Sequence, residues 1–471
     1  MNKQLFKIAI ALLIPMSTFA QNSIFDNSEA SSRAIGNLSQ YASTESEAVI
    51  YNPAGLSFSD SKFQVSLSGV GGFQLVGNMP YSINESGERV YDRGHYSTVR
   101  RLTPSLQTFC KIGKVTLSAS YANEGGGGVW KDEYGNYEMD AILHSSEGMI
   151  SSLQTAFQPL LVNDEDELRL YSENFKSRYY NRCLRVGVSY KMTQHLSAYL
   201  GIKGNQIGYT YYCGGNLYVH RPSTNERWLM SHYLEAAYDN INGLNDNLQQ
   251  VDSLVNEIGK GIYSTGEMQL YSFAPVIGFD VNYNNWNIGA KYEMSPSLLK
   301  DYEFITFPHE MSIGISKLTW ENKLNLSMGA DFKWGFKRDL SSMLKVSNSI
   351  DLMYDVVVGA DYNIIENLKV KASAAYGNQY FAIRDLGFCI ENVDYCTRGY
   401  VTSVKLSLGV DYNISEHFKV DLGFMATPVF GNTIEVNSTI VSNVSYSPID
   451  SHCLYRFMPR FAAGIGLTYG F

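Results

Sequence analysis

The chain has 471 residues, of which 45% are hydrophobic and 18% charged, and its formal net charge is −9. An acidic chain of this kind lacks the cationic surplus that phosphate contacts require, which argues against nucleic acid as a partner. No later stretch approaches the ~20 consecutive apolar residues of a membrane helix, so any membrane crossing must use strands.

Residues 1–20 read as a secretory signal. Lys3 and Lys7 form a basic start, residues 8–14 a short apolar core, and Thr18-Phe19-Ala20 a small-residue cleavage site. The expectation is export without a lipid anchor, because Gln21, not a cysteine, follows. Residues 21–61 then precede the first strand and contain Ala48 to Asp60, "AVIYNPAGLSFSD", in which Pro53 biases Asn52 away from the helical region and sets a turn.

From Lys62 to Phe471 the dominant period is two. Val404, Leu406, Leu408, Val410 and Tyr412 share one face, while Ser403, Lys405, Ser407, Gly409 and Asp411 share the other. The same hairpin recurs with short polar turns, as in "VDYNISEHFKVDLGF" (410–424) and "ADYNIIENLKVKASA" (360–374), separated by much longer polar connections. Short turns on one rim and long loops on the other, with 34 Tyr in an exported chain, fit an outer-membrane barrel. The spacing predicts an all-β fold: about 14 antiparallel transmembrane strands over 62–471, with long loops at about 123–177 and 212–266. Apolar residues at three- and four-residue steps in 228–262, and Ile142, Met149, Leu153 and Phe157 nearby, predict partly helical extracellular loops.

Ser32-Arg33-Ala34-Ile35-Gly36, followed by Asn52-Pro53-Ala54 just before the first strand, resembles the N-terminal hatch of the FadL-type family. These are outer-membrane transporters of long-chain fatty acids and other hydrophobic compounds. The resemblance covers nearly the whole chain after residue 20 and implies a fourteen-stranded barrel plugged by residues 21–61. Arg33, Gly36, Asn52, Pro53 and Ala54 would be the hatch motif. It also implies a kinked third strand open toward lipid. Gly125, Gly126, Gly127 and Gly128 in "NEGGGGVW" stand where that break belongs, and equally suit a flexible loop entrance.

Other site residues follow from face and charge. The polar strand face offers Arg101, Arg185, Lys203, Lys371, Arg456 and Arg460 as cations for a carboxylate head group, with Asp351, Asp355, Asp411 and Asp421 as competing partners. Arg456 and Arg460 are the candidates, since they share a face of the closing strand with little acid beside them. Cys389 and Cys396 lie close together in a polar loop and are expected to pair. No metal or cofactor is expected, because the cysteines have no zinc spacing, and no G-x-S-x-G elbow points to an enzyme. The reading is therefore plug-gated passive transport of a hydrophobic small molecule, with outer-membrane lipid as surroundings and a monomer as the working unit. An open porin for small polar solutes, or a surface binding protein such as an adhesin or haem binder, stays open.

Overall fold

A computed structural model describes residues 30–132, 163–233, 264–298, 305–339, 347–384, 396–430, 433–440 and 449–471, apart from isolated positions within these ranges. The signal sequence, most of the helical loop stretches and Cys389 lie outside the described residues, and with Cys389 the expected disulfide.

Fourteen long strands follow one another in antiparallel order. They are β1 (Phe63–Ile83), β2 (His95–Ile112), β3 (Val115–Asp132), β4 (Glu167–Lys191), β5 (Leu196–Arg221), β6 (Ser264–Tyr283) and β7 (Trp286–Glu293). The second half is β8 (His309–Thr319), β9 (Leu324–Trp334), β10 (Met353–Ile365), β11 (Leu368–Arg384), β12 (Cys396–Asn413), β13 (Phe418–Thr427) and β14 (Arg460–Gly470). Each pairs with the next, and β14 pairs with β1 from Gln64 opposite Gly470 to Phe73 opposite Phe461, so the sheet closes on itself. Closure leaves no barrel edge with unpaired backbone in hydrocarbon. The backbone nitrogen of Lys62 donates to the Phe471 carbonyl at 2.7 Å, which ties both ends of the barrel to one rim.

That rim carries the tight turns. Asn284 and Asn285 join β6 to β7 with φ of 48° and 66°, the left-handed pair of a two-residue hairpin in which asparagine is tolerated. At the opposite rim several strands run on. β4 and β5 continue well beyond the ~9–11 residues a membrane strand needs, and Glu226–Leu229 adds to β5 there. The two long loops are accordingly shorter than the alternation suggested. β3 continues to Asp132, β4 begins at Glu167, and β5 reaches Arg221. Those extensions carry glycines and clustered polar residues, so they lose the two-residue pattern while still pairing.

Burial is inverted relative to a water-soluble protein. On β1, Leu67 is 57% exposed, while its neighbours Ser66 and Ser68 are 3% and 5% exposed. Leu102, Leu184, Leu200, Phe279, Ile313, Val358, Leu408, Leu422 and Ile465 continue the outward apolar face around the barrel. Each such side chain gains about 1.5–3 kcal/mol on leaving water, so this belt belongs in lipid. Tyr190, Tyr283, Trp286, Trp320, Tyr412, Phe418 and Tyr469 lie exposed near the short-turn rim, as an interfacial aromatic girdle does. Inside are serines, charged groups and residues 30–59.

Candidate functional site

Residues 30–59 lie within the ring of strands. Ser31 caps the helix α1 (Ser32–Gly36), its hydroxyl accepting from the Ala34 backbone nitrogen at 3.1 Å. A second short helix, α2 (Ala48–Tyr51), ends at Asn52, whose φ of −147° and ψ of 63° leave the helical region as the following proline demands. Pro53 then opens a 3-10 helix, Pro53–Phe58, at the position where its missing N–H costs nothing.

Each residue of the Asn-Pro-Ala-Gly run meets a different demand. The Asn52 amide donates to Asp280 at 2.6 Å and to the Ser43 carbonyl at 3.0 Å. Asn287 completes the knot, donating to Asp280 at 3.0 Å and to the Ala42 carbonyl at 2.9 Å. Ser189 donates to the Pro53 carbonyl at 2.6 Å, and Ser197 to the Ala54 carbonyl at 2.7 Å. Ala54 packs with Tyr199 and Val276. A side chain at Gly55 would collide with the Asn52 amide itself, so glycine is what lets that amide reach the wall.

The wall is carved to receive the segment. Gly289, Gly314 and Gly329 stand opposite one another on β7, β8 and β9, and a Cβ at any of them would come within about 2.5 Å of Tyr41 atoms. Gly409, Gly423 and Gly464 form a second row on β12, β13 and β14 under α1, where a Cβ on Gly409 would lie 2.7 Å from the Gly36 Cα. Gly36 thus sits backbone against backbone on the barrel. Tyr41 also meets Tyr51 edge-to-face at 5.9 Å, within an apolar cluster that includes Ile35, Leu38, Val357 and Met425.

Ion pairs clasp the segment near the short-turn rim. Buried Arg33 reaches Glu45 at 2.5 Å and Glu47 at 2.9 Å, and approaches Asp421 at 3.5 Å. Glu45 is held in turn by Lys419 at 2.9 Å. Burial opposes charge on Glu45, but Lys419, Arg33 and Lys369 outweigh it and keep the carboxyl well below the usual carboxylate range. Asn37 donates to Asp361 at 2.7 Å, and Ser373 accepts from the Leu38 backbone nitrogen at 2.8 Å.

The glycine run lies inside β3, not in a loop entrance. Arg101 pairs with Gly128 and Ser105 with Ala122, so three residues of β2 face five of β3 and the β2–β3 pairing is interrupted. Two register shifts on the β4 side, at Asn123/Gly126 and Gly126/Val129, absorb the same surplus. Gly125 has φ of 120°, a conformation that side chains rarely adopt. Pro104, on the facing strand, has no N–H to offer across the gap. Bulges of this type bend a strand and interrupt its ladder.

Arg185, Lys203 and Lys371 of the expected lumen cations meet acids on the inner wall. Lys371 binds Asp411 at 2.8 Å, Lys405 binds Asp355 at 3.1 Å, and Arg185 and Lys203 share Glu124 and Glu293. Arg456 and Arg460 do not share one strand face. The chain leaves strand geometry at Met458–Pro459, which puts exposed Arg456 on the separate strand Ile449–Phe457 and buried Arg460 at the start of β14. Proline cannot donate to the ladder, which accounts for the break. Tyr41, the two glycine rows and the shared use of Glu293 are site features that the alternation did not single out. Their signal was the recurrence of glycine a few residues from successive tight turns.

No family model and no curated protein matches the chain. Among solved structures, it is similar to that of a FadL homologue from Pseudomonas aeruginosa at TM-score 0.56 and 12% identity, over 93% of this chain and 98% of that one. It is also similar to the toluene transporter TbuX from Ralstonia pickettii at TM-score 0.51 and 11% identity, over 94% of this chain and 97% of that one. With the closed barrel, the inverted burial and the bulged third strand already established, these likenesses give the chain the fold of the FadL-type outer-membrane transporters.

Proposed function

We propose that this protein carries hydrophobic small molecules across the outer membrane by passive diffusion, with residues 21–61 as a plug and the β3 bulge as a lateral exit toward lipid. The observation that supports the reading is the N-terminal segment inside the barrel together with the interrupted β2–β3 ladder. Residues 30–59 occupy the bore near the short-turn rim, and the β2–β3 ladder is interrupted at Leu102–Pro104. An opening at that bulge would face hydrocarbon, which a hydrophobe can enter and a polar solute cannot. The toluene transport named for TbuX points the same way.

Long-chain fatty acids and monoaromatic hydrocarbons are the substrate classes to compare. Burying ~14 methylenes at ~0.8 kcal/mol each offers about 11 kcal/mol, from which immobilisation removes several. Capture therefore needs no energy source, while release needs the pocket to rearrange. Of the two candidate arginines, Arg460 is the one buried on the inner face, at the start of β14. The barrel closes within one chain, so a monomer suffices.

The test is uptake of labelled oleate and of toluene by a Gram-negative host without its own channel for either. Expression is expected to give saturable uptake of at least one, with little gain in sugar permeability. Sugar permeability with no hydrophobe uptake by a correctly inserted barrel would favour the porin.

A further inference from the structure

Among the described residues, eight buried charged side chains, four acidic and four basic, are linked by ion pairs along the inner wall from β3 to β9. At the bulge, Glu124 pairs with Arg185 and, at 2.9 Å, with Lys203. Both cations also hold Glu293, at 2.5 Å and 2.7 Å. The Glu293 oxygen that Arg185 takes is shared with Lys291, 2.8 Å away. Lys291 then donates to the Ile50 backbone carbonyl at 3.0 Å, in the last turn before Asn52. Glu310, at 2.9 Å from Lys291, and Lys333 and Asp331 behind it complete the set.

We infer that Arg185, Lys203, Glu293 and Lys291 form an ionic relay that couples the β3 bulge to the seat of the N-terminal segment. The inference rests on the reading of residues 30–61 as a plug and of the bulge as an exit. Across the eight linked side chains four acids balance four cations, so no member can leave without stranding another in a low-dielectric wall. When Glu124 withdraws from the lumen, two cations are left with one acid. Glu293 is drawn toward them and away from Lys291, and the hold of Lys291 on Ile50 weakens. Displacement of Ile50 does the reverse, freeing Lys291 to compete for Glu293 and loosening the cations that pin Glu124. Arg185 and Lys203 are thus positioning residues, since they act on the exit and on the segment through Glu293. Coupling of this kind is a free energy shared by two places and must be reciprocal.

The experiment is hydrogen–deuterium exchange on the full chain folded in detergent, with barrel integrity checked by heat-modifiable migration. Glu124→Gln, made at the bulge, is expected to speed exchange of amides 48–52 about five- to tenfold, and Lys291→Met to speed exchange at 123–129 by a similar factor. If each variant accelerates only its own neighbourhood, the relay is overturned. Should Glu124→Gln fail to insert, Glu124→Asp keeps the charge, shortens its reach and gives the same comparison. Arg185→Lys, with charge kept but one arm lost, is expected to raise exchange at both places, and an effect at neither would also overturn the relay. Exchange is read without ligand. Reciprocal acceleration in a chain that carries no hydrophobe would overturn the transport reading alone. Purely local effects in a chain with normal uptake would overturn the relay alone.

Discussion

The amide of Asn52 lies 2.6 Å from the Asp280 carboxylate, a contact between residues 228 positions apart that joins the N-terminal segment to the inner wall of β6. Asp280 is fully buried and shares its other contact with Asn287. Removing the Asn52 amide leaves a buried carboxylate short of a donor, which costs about 1–3 kcal/mol. Asn52→Ala is therefore expected to loosen the segment without unfolding the barrel. Proteolysis of residues 30–61 in the folded protein should become faster. Unchanged protection would mean that the contact does not hold the segment.

The glycine rows make a steric prediction. Gly409→Val sets a branched side chain where Gly36 now lies, and no flexible group is present there to yield. It should displace α1 and raise the ion conductance of the barrel in planar bilayers. The neighbouring Ser407→Ala, which removes a 3.4 Å contact to the Gly36 carbonyl and a 2.5 Å contact to Ser373 but adds no bulk, should leave conductance nearly unchanged.

Glu45 gives a pH dependence with a definite sign. Its carboxyl is depressed in the folded protein, by Lys419, Arg33 and Lys369 against the opposing effect of burial. A depressed acid contributes its stabilisation above its unfolded value, about 4.3, and loses it as pH falls through the lower folded value. Protection of residues 30–61 should stay level from neutral pH down to the ordinary carboxylate range and drop only below it. Glu45→Gln should lower protection at neutral pH and flatten the acid drop, as amide exchange of the segment would show.

Gly125 tests the bulge locally. With φ of 120° it occupies backbone space where a Cβ is strained by about 1–2 kcal/mol. Gly125→Ala should lower thermal stability by a few degrees and change exchange at 123–129. Gly113, whose φ is 63° in a tight turn with open space around it, is a control expected to cost stability without altering the bulge.

Much of the barrel was legible because a lipid-facing sheet imposes a strict period of two. Val404 to Tyr412 could be read as one outward face, and the structure exposes Leu406, Leu408 and Tyr412 there. The Asn-Pro-Ala run was legible as a short motif, yet its partners were not. Asp280, Ser189 and Ser197 come from strands far along the chain, and only closure of the barrel brings them to residues 52–54. Arg456 and Arg460 misled for a related reason. Their four-residue spacing implies one face only if the strand runs unbroken, and Met458–Pro459 interrupts it. The ion relay was invisible in sequence because alternation marks a residue as inward without saying which inward charges become neighbours.

The most direct test of the central claim is hydrophobe uptake after the wall is closed. Deleting two of the four glycines from Gly125 to Gly128 restores matched lengths between β2 and β3, since β3 carries two residues more than β2 across the gap. The account predicts an intact, heat-modifiable barrel that has lost most of its saturable oleate or toluene uptake. Uptake at the original rate through the closed wall would contradict it and send the substrate through the periplasmic mouth instead.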